Sequence, residues 1–136
     1  TANFLDARSY DGMVTLRGGD GNDTLAGGSA DDRLLGENGD DILAGFLGDD
    51  VFNGGSGNDS LLGGDGNDTL GGGGGQDAIV GQLGDDMVKG QGGADTLAGG
   101  SGGGQKDDGD LMPDVAPGEI DEAFALDFDQ LIGQTG

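Results

Sequence analysis

Nine aspartates fall at a strict interval of nine residues: Asp23, Asp32, Asp41, Asp50, Asp59, Asp68, Asp77, Asp86 and Asp95. Five residues before each stands a glycine: Gly18, Gly27, Gly36, Gly45, Gly54, Gly63, Gly72, Gly81 and Gly90. Carboxylates repeated at one offset from glycines offer oxygen chemistry. A column of unneutralised carboxylates is strongly unfavourable, and a hard dication between them removes the repulsion. Calcium takes six to eight oxygens in flexible geometry, and a glycine-rich turn exposes backbone carbonyls that can supply them. The pattern therefore points to calcium held between chain turns.

The element that positions these groups is the nonapeptide itself. From Gly18 to Ala98 the chain reads as nine consecutive blocks without insertion or deletion. The fourth position is glycine except at Ala30. The eighth is always apolar: Leu25, Leu34, Leu43, Phe52, Leu61, Leu70, Ile79, Val88 and Leu97. Glycines at positions one and four predict positive φ and a tight turn in the first half of each block. Positions seven to nine predict a short strand whose side chains alternate, with position eight inward. Position six shares its parity, so the aspartate is expected inside as well. Two blocks make one coil of eighteen residues, and coils stack in parallel ladders about 4.8 Å apart. Leu25, Leu43, Leu61, Ile79 and Leu97 are expected in one inner ladder, with Leu34, Phe52, Leu70 and Val88 facing them.

These blocks resemble the GGxGxDxUx nonapeptide of RTX (hemolysin-type calcium-binding) proteins. The resemblance implies an all-β fold, a right-handed parallel β-roll with calcium between adjacent turns. It also implies the nine aspartates and the nine position-one glycines as metal-site residues. Pairing blocks i and i+2 gives about seven internal calcium sites. The family pattern is broken at position two by Glu37, Phe46, Gln82 and Gln91, which are expected to strain their loops, and at position four by Ala30. Ala30 puts the half-site of the second block in doubt.

Composition limits the alternatives. A chain of 136 residues is one domain by length. Low apolar content with a net charge of −22 reads as disorder when no metal is present. The same charge excludes nucleic acid and anionic membrane as direct partners. Five basic residues, Arg8, Arg17, Arg33, Lys89 and Lys106, are scattered and form no patch. Without cysteine there is no disulfide or thiolate chemistry. No apolar run is long enough for membrane insertion, and no N-terminal signal peptide is evident. The first residue is not methionine, which fits a processed product or part of a longer chain. With no histidine, no cysteine and no serine beside a usable base, the chain is not read as an enzyme. A catalytic carboxylate pair needs two different environments, and a ladder supplies identical ones.

The flanks complete the organisation. Residues 1–17 are an off-pattern N-terminal cap or the remnant of an upstream domain. Residues 99–118 read as a linker with a degenerate tenth block, in which Gly104 and Lys106 stand where aspartate and an apolar residue belong. Asp107, Asp108 and Asp110 read as a solvated run, closure of the last calcium half-site being the alternative. In residues 119–136, Ile120, Ala123, Phe124, Phe128 and Leu131 recur at helical spacing. This stretch is read as an acidic amphipathic helix that serves as cap, secretion signal or both. It resembles type I secretion signals, which implies a type I secretion apparatus as a partner.

Position-nine and position-seven residues should form two outer faces. The odd blocks would expose an uncharged stripe of Ile42, Leu62 and Val80, a candidate surface for self-association or helix docking. The leading reading is a calcium-binding β-roll of a secreted bacterial protein, extracellular or at the cell surface, which folds on calcium outside the cell. The alternatives are a structural or adhesive unit of a fibre, surface layer or matrix, and the C-terminal module of a larger secreted enzyme.

Overall fold

A computed structural model describes residues 1–99 and the backbone of residues 105–106. The expected C-terminal helix and most of the expected linker lie outside the described residues. Strands are numbered in chain order. One sheet consists of β1 (Phe4–Asp6), β3 (Thr24–Ala26), β5 (Ile42–Leu47), β7 (Ser60–Asp65), β9 (Ala78–Leu83) and β11 (Thr96–Ala98), stacked in that order. The other runs β12 (Gln105–Lys106), β10 (Met87–Gly92), β8 (Thr69–Gly74), β6 (Val51–Ser56), β4 (Arg33–Asn38) and β2 (Thr15–Asp20). All pairings are parallel. The chain alternates between the sheets and returns to each after one coil, so the fold is an all-β parallel β-solenoid.

The register of eighteen places Leu25 on Leu43, Leu43 on Leu61, and Ile79 between Leu61 and Leu97. In the facing sheet Leu34, Phe52, Leu70 and Val88 stack in the same way. These nine side chains form one buried cluster between the sheets. Each block is too short to bury its own apolar residue, and stacking solves this for all of them together.

The boundaries differ from the sequence reading. A full strand covers positions seven to nine and runs on through positions one to three of the next block, as in β5 from Ile42 to Leu47. The turn is therefore confined to positions four to six. Positive φ falls at positions two and four, not one and four: Gly55 and Gly57 have φ of 102° and 121°. Glu37, Phe46, Gln82 and Gln91 carry the position-two conformation without being glycine, at φ of 76° to 80°. Position one is glycine for a different reason, described with the site below.

The N-terminal stretch supplies an additional coil. Leu5 pairs with Leu25 and Leu16 with Leu34, and both pack against the core cluster. At the other end β12 aligns Lys106 with Val88, so the degenerate tenth block still contributes backbone pairing.

The outer faces also depart from expectation in part. Arg33, Val51, Asn53, Thr69, Met87 and Lys89 are exposed on the even-block face, as the alternation requires. Of the odd-block stripe, Ile42 is half-buried and Leu62 and Val80 are buried. Leu62 is 3% and Val80 5% accessible, and Ala26, Ala44 and Ala98 are buried. Part of the reason is local: the Phe46 and Ile42 side chains pack onto the cluster of Ala26, Ala44 and Leu62.

Candidate metal centre

The nine aspartates lie where the turn enters the strand, and all nine are buried, at 1% to 3% accessible. Two inner columns form, eighteen residues per step. In each, one carboxylate oxygen is used by the backbone. The Asp41 N–H donates to Asp59 Oδ1 at 2.8 Å, and the Asp59 N–H donates to Asp77 Oδ1 at 2.8 Å. The same bond joins Asp50 to Asp68, and Asp68 to Asp86. At the N-terminal end the Asn3 N–H donates to Asp23 Oδ1 at 2.7 Å, so the additional coil continues the ladder.

The other oxygen has a different fate. Oδ2 of Asp23, Asp41, Asp50, Asp59, Asp68, Asp86 and Asp95 is buried without a hydrogen-bond partner. A buried carboxylate oxygen left this way carries a large desolvation penalty, so it calls for a cation or a proton. The position-one glycines show what faces it. A β-carbon at Gly45 would run into Asp50 Oδ2 and lie 2.8 Å from the Gly63 carbonyl oxygen. At Gly54 it would likewise meet Asp59 Oδ2 and the Gly72 carbonyl oxygen. Position one is glycine because carboxylate and carbonyl oxygens already converge on the volume a side chain would fill. Such cradles recur from Gly18 to Gly81, each joining the aspartate of its own block to the position-one carbonyl of the next coil. The last of these joins Asp86 to the Gly99 carbonyl, which the sequence left in a degenerate block.

The protonation balance agrees with this. Burial pushes Asp50, Asp59 and Asp68 up to about 7 and Asp86 up to about 6, and it raises Asp41 as well. The backbone N–H of the preceding rung opposes the shift, and neighbouring aspartates add to it. Without a cation, the folded ladder favours protonated carboxyls near neutrality. Among the described residues no three acidic, histidine or cysteine side chains surround one point. A metal here would draw on one or two carboxylates and otherwise on backbone carbonyls. That donor set of hard oxygens suits calcium rather than a soft metal.

Sequence reasoning missed a second, outer ladder. The Asp40 N–H donates to Asn22 Oδ1, the Asn58 N–H to Asp40 Oδ1, and the Gln76 N–H to Asn58 Oδ1. On the other edge Asp31, Asp49 and Asn67 accept in the same way from Asp49, Asn67 and Asp85. Its signal was the run of Asn and Asp at position five. These short side chains satisfy turn N–H groups that the strands leave unpaired.

Among the described residues no helix is long and apolar enough to cross a membrane. No curated protein and no solved structure matches the chain significantly. The family described as RTX calcium-binding nonapeptide repeat matches residues 15–43, 44–79 and 71–105, about two thirds of the chain. With its nonapeptide blocks stacked as a β-roll and its aspartates in buried columns, the chain belongs to the RTX calcium-binding nonapeptide repeat family.

Proposed function

We propose that this chain is the calcium-dependent β-roll of a secreted bacterial protein, unfolded where calcium is scarce and folded outside the cell. RTX repeats are typical of secreted bacterial proteins. One observation carries the reading: buried carboxylate oxygens without a protein partner, each facing a glycine carbonyl of the next coil. Asp23, Asp41, Asp50, Asp59, Asp68, Asp77 and Asp86 would supply the carboxylates, opposite the carbonyls of Gly36, Gly54, Gly63, Gly72, Gly81, Gly90 and Gly99. That is about seven sites.

When bound, calcium supplies the positive charge that the columns lack. The chain's own groups do the rest. The Oδ1 hydrogen bonds fix each carboxylate's orientation, and position-one glycine keeps the cradle open. Position-eight side chains exclude water from one side. Extracellular modules bind calcium at about 10⁻⁴ to 10⁻³ M, which matches folding in millimolar calcium. The repeat region itself is non-catalytic. A tail role on a larger secreted enzyme is compatible with it, as is a structural or adhesive unit. Calorimetric titration tests the reading. Uptake of about seven calcium ions per chain is expected, and absence of binding at several millimolar calcium would remove it.

A further inference from the structure

One rung of the inner columns is built differently. Asp32 Oδ1 accepts the Val14 N–H at 2.9 Å, and its Oδ2 accepts the Gly28 N–H at 2.7 Å. In Asp50, the next rung of the same column, Oδ2 has no protein partner. The origin lies in the sequence of the turn. Position four has φ between 106° and 128° in the eight blocks with glycine there, a region that side-chain-bearing residues avoid. Ala30 takes no positive φ, and neither does Gly28, although position two is positive in the other eight blocks. The loop is turned so that the Gly28 N–H reaches the carboxylate between Gly27 and Gly45. An amide hydrogen presents its positive end there, which disfavours a cation.

The N-terminal coil holds this arrangement in place. A β-carbon on Gly28 would come within 2.9 Å of the carbonyl oxygens of Ala7 and Tyr10, so the chain crosses directly over it. The Ala7 N–H donates to the Ala26 carbonyl, and the Arg33 N–H donates to that of Val14. Asp32 is thereby tied at both oxygens to protein.

We propose that the Asp32–Gly45 cradle takes no calcium: the Gly28 N–H takes the place of the ion at Oδ2, and Asp32, held at Oδ1 by the Val14 N–H, is a positioning residue that joins the N-terminal coil to the roll. This inference rests on the calcium reading above. In its column, calcium binding begins at Asp50 and extends to Asp86 and Gly99.

Equilibrium dialysis of the full chain at saturating free calcium, with bound calcium measured by atomic absorption, tests it. Asp32→Asn should bind as many ions as the unaltered chain, and Asp50→Asn should bind one fewer. Loss of one ion in Asp32→Asn, with its strand signal intact, would overturn the inference. If Asp32→Asn does not fold, anomalous diffraction from calcium-loaded crystals of the unaltered chain decides. A peak at Asp50–Gly63 and none at Asp32–Gly45 supports it, and a peak at Asp32–Gly45 overturns it. Failure of the unaltered chain to bind calcium at all would instead overturn the calcium reading, so the two failures are distinguishable.

Discussion

Replacing Asp59 separates the two jobs of a column aspartate. Its Oδ1 accepts the Asp41 N–H, and its Oδ2 is the partnerless oxygen facing the Gly72 carbonyl. Asp59→Asn keeps an oxygen for the N–H but removes the charge from the cradle. At free calcium tenfold above Kd, loss of one site costs about 1.4 kcal/mol. Asp59→Ala adds a buried, unpaired Asp41 N–H, a further cost of about 1–3 kcal/mol. The alanine variant should therefore lose about 2.4–4.4 kcal/mol in all. Asp65→Asn is the control, because Asp65 is exposed, and its effect should stay within about 0.5 kcal/mol. Urea unfolding at clamped free calcium, followed by circular dichroism, reads all three. The reasoning is refuted if Asp59→Asn matches the control, or if the alanine variant is no less stable than the asparagine one.

Other outcomes follow from the same geometry. Gly45→Ala, which drives a methyl group against Asp50 Oδ2, should weaken calcium binding, whereas Gly74→Ala should not, since nothing lies within 4 Å of its added carbon; equal titration curves would contradict the cradle. Gln91, exposed at a φ of 77°, should be improved by Gln91→Gly by about 1 kcal/mol, measured as a higher calcium-loaded Tm. The pH dependence of the metal-free chain has a definite sign. Asp50, Asp59 and Asp68 sit near 7 in the fold, above the ordinary value of 3.8, so the folded state binds more protons between those limits. Their contribution to metal-free folding is present at acid pH and is lost as pH rises through about 7. In chelator, strand signal should thus increase from pH 8 to pH 5.5, and a flat profile would count against the buried columns.

Much of this was legible because one period controls both core and site. An apolar residue every nine positions fixes which side chains stack, and the aspartate two places earlier must share their side of the strand. The position-one glycines were visible but their cause was not. A glycine column does not distinguish positive φ from lack of room, and here the oxygens of Asp50 and Gly63 leave no room at Gly45. Positive φ at position two was masked by Glu37, Phe46, Gln82 and Gln91, residues that seldom adopt it. The N-terminal coil escaped detection because Leu5 pairs with Leu25, twenty residues on, while Leu16 keeps the register of eighteen with Leu34. That two-residue excess breaks the period. The Phe46 and Ile42 side chains pack on the cluster of Ala26, Ala44 and Leu62, cover that no alternation rule encodes. Ala30 did mark the second block as irregular, but the Gly28 N–H that takes over at Asp32 Oδ2 emerges only from three-dimensional contacts.

The central claim is that calcium completes the columns and so permits the fold. Far-ultraviolet circular dichroism of the full chain tests it most directly, first in excess chelator at pH 7.5 and then through a calcium titration into the millimolar range. The account predicts a coil spectrum in chelator and a cooperative rise of strand signal that follows calcium uptake. A β-rich spectrum in excess chelator, unchanged by calcium, would contradict it.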